Sequence, residues 1–249
     1  MLSQSLQQGK LSEKKRVSNL PELNPPLAVR LKFIKVGTLQ YISHLDLQRT
    51  FNRIINRACL PVWYTKGFNP HIKLVFSTPL SVGTESVCEY LDIRIDREMS
   101  LEQIKERLNC EMTDEFHVID VYEPKNDFSE IKWASYKMSI TTSGATSELA
   151  EKVEHTLTTP LYLTKKTKAG ETEVDISSLI SSVNVRYNEE NGAIEIDTVV
   201  SASTTDYLNP EMIVKGLKLK LGILSGDPTK EYYTILRTEL YKKDMTVFS

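Results

Sequence analysis

Hydrophobic residues along this chain mostly alternate with polar ones, and a few stretches of helical spacing break the alternation. Val29, Leu31 and Phe33 alternate with Arg30 and Lys32, the pattern of a half-buried strand, which Gly37 ends. Ser43 followed by Asp46 three residues on is a weak capping box. Behind it Leu47, Phe51, Ile54, Ile55 and Ala58 share one helical face. Leu60 to Tyr64 is a second apolar run that reads as a strand, and Gly67 with Asn69-Pro70 makes a loop. Ile72, Leu74 and Phe76 then alternate with His71, Lys73 and Val75. After Gly83, Leu91, Ile93 and Ile95 point inward, with Tyr90, Asp92 and Arg94 outward. Ser100 caps a short helix bearing Leu101, Ile104 and Leu108, and Phe116 to Val121 closes as a strand. Strand, helix, strand, strand, helix, strand is a ferredoxin-like order.

The same order recurs. Tyr136, Met138 and Ile140 alternate; Leu149, Val153 and Leu157 sit at helical spacing; Leu161 to Thr167 is extended. Val183, Val185 and Tyr187 lead through Asn191-Gly192 into Ile194, Ile196 and Thr198, a strong hairpin signal. Asn209-Pro210-Glu211 opens a helix, and Tyr232 to Tyr241 closes as a strand. The expected fold is therefore α+β: tandem ferredoxin-like (βαββαβ) units with mainly antiparallel sheets. They join near Pro124 to Ile131, with an extra strand or loop around Val174 to Ile180. Residues 1–26 read as a flexible polar tail ending in a Pro21–Pro26 linker, 27–126 as a basic ferredoxin-like domain, and 131–249 as a second one.

Charge is distributed unevenly between these parts. Between Ala28 and Leu80 stand Arg30, Lys32, Lys35, Arg49, Arg53, Arg57, Lys66 and Lys73 against the single acid Asp46, a balance of +7. The whole 249-residue chain is −2, which leaves −9 elsewhere. Cys59, Cys88 and Cys110 are widely spaced, so neither a disulfide framework nor a zinc or iron–sulfur loop is expected. No apolar run approaches the ~20 residues of a membrane helix, and the N-terminus has no secretory signal pattern. A reducing cytoplasm is the expected location, without membrane association.

The candidate chemistry sits in the basic stretch. Arg49, Arg53 and Arg57 stack at i, i+4 and i+8; such a stripe is either a solvated face or a cationic contact. His44 lies in the first turn of its helix, where free N–H groups attract anions. His71 follows the Lys66-Gly67-Phe68-Asn69-Pro70 loop. A phosphate-contacting pocket would combine Ser43 at the helix start with Lys66, Gly67, Asn69, Lys73 and Arg49; the plain alternative is a capped helix beside an ordinary loop. Tyr41, Tyr64 and Phe68 interleave with these cations, and rings beside cations suit unpaired bases or a protein core. In a ferredoxin-like unit the arginine stripe would face away from the covered side of the sheet. Arg30, Lys32 and Lys73 would leave by the open side. His117 and His155 read as solvated. Asp175, Asp197, Asp206 and Glu211 match no metal-loop spacing, and phosphate-loop, dinucleotide and nucleophile-elbow motifs are missing, so no metal and no cofactor is expected.

The string Gly37-x-Leu39-x-Tyr41-Ile42-Ser43-His44-Leu45-Asp46-Leu47, then Leu60-Pro61, Gly67-Phe68-Asn69-Pro70-His71-x-Lys73, Pro79-Leu80, Gly83-x-Glu85-Ser86 and Glu89-Tyr90-x-Asp92 resembles the radical SAM-linked family of uncharacterised bacterial proteins. Gln40, Cys59 and Ile72 depart from the Arg, Gly and Pro usual in that family. Leu208-Asn209-Pro210 replaces its Arg-Pro pair. The resemblance implies a cobalamin-binding radical SAM protein as partner. This chain lacks the Cys-x-x-x-Cys-x-x-Cys of such enzymes and cannot be that catalytic subunit. The leading expectation is an accessory RNA-binding module that presents tRNA or rRNA for modification. The alternatives are a metal-independent endoribonuclease using His44 and His71 as base and acid, and a protein-only scaffold for the radical SAM partner.

Overall fold

The computed structural model describes residues 2–167 and 170–249, so position 1 of the expected tail lies outside them. The chain is mixed α+β with mainly antiparallel strands. It divides into two compact units, Met1–Val82, Ser86–Asp127 and Ser249 in one, Gly83–Glu85 and Phe128–Phe248 in the other.

The first unit runs α1 (Leu2–Ser18), β1 (Glu22–Lys35), α2 (His44–Arg57), β2 (Val75–Phe76), β3 (Thr84–Arg97), α3 (Leu101–Asn109) and β4 (Val118–Tyr122). β1 is antiparallel to both β3 and β4, and short β2 lies antiparallel on the other side of β3. Val29, Leu31 and Phe33 on β1 and Leu91, Ile93 and Ile95 on β3 line one face. Leu47, Phe51, Ile54 and Ile55 of α2 and Ile104 and Leu108 of α3 cover it. Phe33 is the hub, edge-on to Phe51 at 4.9 Å and to Phe116 at 5.7 Å. A capping box between Ser100 and Gln103 starts α3.

Three expectations are corrected here. The stretch read as a flexible tail is the helix α1, tied down by Lys10 to Glu111 at 2.9 Å, by Glu13 to Arg107 at 2.5 Å, and by burial of Val17. Its polar sequence hid it because tertiary ion pairs, rather than an apolar stripe, hold it. Pro21–Pro26 does not act as a linker. β1 already begins at Glu22, paired with Arg97, and the next pair is Leu27 with Ile95. The surplus residues form a bulge, where prolines that cannot donate to a ladder are tolerated. Finally, Arg30 and Tyr90, read as outward, are buried, as is Lys35.

The second unit runs β5 (Ile131–Thr141), α4 (Ser147–Thr158), β6 (Tyr162–Thr167), β7 (Gly170–Asp175), β8 (Ile180–Asn188), β9 (Ala193–Ser201), α5 (Glu211–Leu221) and β10 (Tyr232–Lys242). Its sheet order is β10-β5-β9-β8, all antiparallel. β6 and β7 pair as a separate hairpin. The Asn191-Gly192 signal is the β8–β9 turn, with Gly192 at φ +66°. α5 lies so close to Leu161 that a Cβ on Gly216 would come within 2.9 Å of it.

Candidate nucleic-acid interface

The first unit's motif residues sit on α2 and on a projection from the sheet edge beside it. Ser43 caps α2: its hydroxyl accepts the Asp46 N–H at 3.2 Å and donates to the Asp46 carboxylate at 2.7 Å. The hydroxyl and Arg49, 3.0 Å away, hold the Asp46 carboxyl below the usual carboxylate range. The first turn thus already carries its own anion beside the Ser43 cap. The helix ends with Cys59 N–H donating to Asn56 O at 3.4 Å and Leu60 N–H to Ile55 O at 3.3 Å. That is a Schellman turn, and Cys59 occupies its left-handed position at φ +52°.

Beside the arginines runs a row of one imidazole and three amides that charge-based reading passed over. His44, Gln48, Asn52 and Asn56 recur at i+4 along α2. The Gln48 amide meets His44 Nε2 at 3.1 Å; Asn52 donates to Gln48 O at 2.9 Å; Asn56 donates to Asn52 O at 2.7 Å. At one end His44 lies edge-on to Phe76 at 5.1 Å. At the other, the Tyr64 hydroxyl reaches Asn56 Oδ1 at 3.4 Å. The i+4 spacing was the available signal.

Residues 64–72 form a small hairpin that interrupts the strand pairing along the edge of β3. Val62 bridges Ile95 below it and Val75 pairs with Asp92 above it. Tyr64 bridges Ile72, whose side chain is buried. Thr65 N–H donates to His71 O at 3.0 Å, and the His71 N–H donates to Thr65 Oγ1 at 3.1 Å. His71 Nδ1 lies 3.1 Å from both Thr65 Oγ1 and Asn69 O. The ring therefore braces the hairpin. Gly67 at φ +143° makes the tip, a backbone region that favours glycine. Phe68 beside it is 102% exposed; Lys66 and Asn69 on the hairpin are exposed too, as is Lys73 just past its base. A cavity of about 310 Å³ opens at the hairpin base, between Asn56, Tyr64, Asp96, Arg97 and Lys14. Burial there pushes the Asp96 carboxyl above its usual range.

The +7 balance does not translate into eight surface cations. Arg30 is fully buried, donating to both Asp92 oxygens at 2.7 and 2.9 Å and to Asn126 Oδ1 at 2.5 Å. Burial opposes its charge, but the Asp92 carboxylate outweighs this and raises the Arg30 pKa. Lys35 is buried and donates to Leu39 O and Gln40 O. Lys32 lies over the Tyr90 ring at 5.5 Å. Arg57 pairs with Glu111 at 2.6 Å. Arg53, Lys66 and Lys73 are exposed and have no ion-pair partner among the described residues. His44 and His71 have separate hydrogen-bonding partners. Among the described residues no group of three or more His, Cys, Asp or Glu could hold a metal ion. No helix there is long and apolar enough to cross a membrane.

A family model described as "Uncharacterized protein conserved in bacteria (DUF2344)" matches residues 28–210. No curated protein matches the chain. Among solved structures, DyPB from Rhodococcus jostii RHA1 is similar at 12% identity and a TM-score of 0.21, over 87% of this chain and 94% of that one. A DypB variant from the same organism, in complex with heme, matches at 12% identity and a TM-score of 0.21, over 94% and 98%. Likeness at that level carries no conclusion about this chain.

Proposed function

The chain belongs to this bacterial family, and from that premise we propose that its first unit binds RNA at unpaired nucleotides, with the 64–72 hairpin as the contact. The observation that carries this reading is Phe68, an aromatic ring held wholly in solvent on a braced tip, with Lys66 on the same hairpin and Lys73 just past its base. An apolar ring kept out of any core gains by stacking, and a base offers a face of matching size. These lysines, with Arg53 and Arg49 on α2, are placed for phosphates. The Gln48, Asn52 and Asn56 amides share α2 with these arginines, Asn56 reaches the Tyr64 hydroxyl at the hairpin base at 3.4 Å, and their polar atoms suit base edges.

Cleavage by a His44–His71 pair is not favoured, because each ring is engaged in its own local network. A radical SAM protein as recipient of the bound RNA rests on the motif string alone. The ferredoxin-like reading of both units is supported by their strand orders, β4-β1-β3-β2 and β10-β5-β9-β8. With the separate β6–β7 hairpin set aside and the strands numbered within each unit, both run fourth, first, third, second, with helices after the first and third strands.

The test is fluorescence anisotropy with a labelled single-stranded RNA and a stem–loop. Phe68→Ala should weaken binding about tenfold, since stacking on one ring contributes about 1–3 kcal/mol. The melting temperature should not move, because the ring buries nothing in the fold. Affinity equal to wild type would refute the proposal.

A further inference from the structure

A second site lies in the other unit, in a cavity of about 520 Å³ between α5, the loop after it and the start of β10. That volume is within the roughly 300–1,000 Å³ usual for small-ligand sites. Lys215 and Lys218, three apart on α5, share the face that lines it, and Tyr232, 55% exposed, lines it from β10. Neither lysine has an ion-pair partner among the described residues. The two carboxylates in the wall are already engaged. Glu211 accepts the Tyr233 hydroxyl at 2.7 Å. Glu231 accepts the N–H groups of Ser143 at 2.7 Å and Gly226 at 2.6 Å, and the Thr142 hydroxyl at 3.1 Å. These donors hold the Glu231 carboxyl down to about 2. The same bonds fix the wall in place. Leu224 sits in the left-handed region at φ +56°, and its N–H donates to Thr142 Oγ1 at 3.1 Å. A preformed hollow lined by two lysines free of ion pairs among the described residues, by an exposed ring, and by two carboxylates whose bonds to protein donors hold them aside suits a ligand that is anionic at one end and aromatic at the other.

We propose that this cavity binds one phosphorylated nucleoside, its phosphate between Lys215 and Lys218 and its base against Tyr232. A phosphomonoester carries about −1.5 to −2 charges near neutral pH and three acceptor oxygens, enough to take a charge-assisted hydrogen bond from each lysine. The remaining acceptor capacity of Glu211 suits a ribose hydroxyl or a base amino group. The nucleoside could be a free mononucleotide or the 5′ end of an RNA strand; the recognition chemistry is the same. Because these residues belong to the second unit, variants here and at Phe68 test the two readings separately.

The experiment is isothermal titration of the full chain with the four nucleoside 5′-monophosphates and with a 5′-phosphorylated trinucleotide. Adenosine and inorganic phosphate serve as the half-ligands. The expected result is binding of a monophosphate, of the trinucleotide or of both, tighter than either half-ligand. Binding should weaken at least about tenfold in Lys215→Ala/Lys218→Ala, as expected when charge-assisted hydrogen bonds are lost. Lys220→Ala, on the same helix but outside the cavity, should bind as wild type. A trinucleotide-only response assigns the site to RNA ends, and a monophosphate-only response assigns it to free nucleotides. No binding of either ligand, a double variant that binds like wild type, or inorganic phosphate binding as tightly as the nucleotide would each overturn the proposal.

Discussion

Replacing Arg30 by Met removes a buried guanidinium while keeping most of its volume. In the native fold that group makes a two-pronged contact to Asp92 and two further bonds to Asn126, one to Oδ1 at 2.5 Å and one to the carbonyl at 3.0 Å. Removing one partner of a buried pair generally costs about 3–5 kcal/mol, because the other charge stays behind unpaired. The Asp92 side chain is 23% exposed, so water can reach part of it. The expected cost is therefore near the lower end, ~3 kcal/mol. For a chain of this size that corresponds to a melting temperature lower by roughly 6–12 °C. Arg30→Met/Asp92→Leu removes both charges and should recover much of the loss, since an apolar pair of similar volume is often about as stable as the ion pair. Urea unfolding of wild type, both single variants and the double variant gives the coupling directly. If Arg30→Met costs less than about 1 kcal/mol, or the two single effects simply add, the buried pair is not what holds β1 to β3 at this point. The same variant should leave RNA affinity unchanged, because Arg30 reaches no surface.

Cys59 should tolerate Gly, since relief of the left-handed strain of about 1–2 kcal/mol offsets the lost side-chain burial. Cys59→Val, β-branched at the same backbone position, should be the less stable of the two by a similar margin in parallel urea melts. Glu231 gives a pH dependence. Its folded pKa is depressed to about 2, so its contribution is fully present above its ordinary value of 4.5 and is lost as pH falls toward 2. Wild type should therefore be more stable than Glu231→Gln at neutral pH, and the gap should close as unfolding is repeated below pH 4.5. A gap constant with pH would mean that Ser143, Gly226 and Thr142 do not favour the ionised form.

Alternation placed β1, β3 and β5 well because Val29, Leu31 and Phe33, and their counterparts, each have one face against helices. It placed Arg30 outward for the same reason, and there it misled. The residue opposite Arg30 is Asp92, and only the β1–β3 register brings the two together. α1 was hidden because its anchors, Lys10 and Glu13, find Glu111 and Arg107 far along the chain. In the candidate interface, Gly67 and Asn69-Pro70 were legible as a loop. Their role as the tip of a braced hairpin was not, since the brace depends on Thr65 meeting His71 across it. The charge balance overstated the cationic surface because Asp92 and Glu111, the partners of Arg30 and Arg57, lie outside the basic segment. The departure of Cys59 from the expected Gly acquires a physical meaning only with the Schellman turn in view.

The RNA reading is most directly tested by the salt dependence of affinity for single-stranded RNA, measured for wild type and for Lys66→Gln/Lys73→Gln. Each phosphate contact on a single strand contributes about 0.7 to the slope of log affinity against log salt. Loss of both lysines should weaken binding and make that slope shallower by about 1.4. The same affinity and slope in the two proteins would contradict the account.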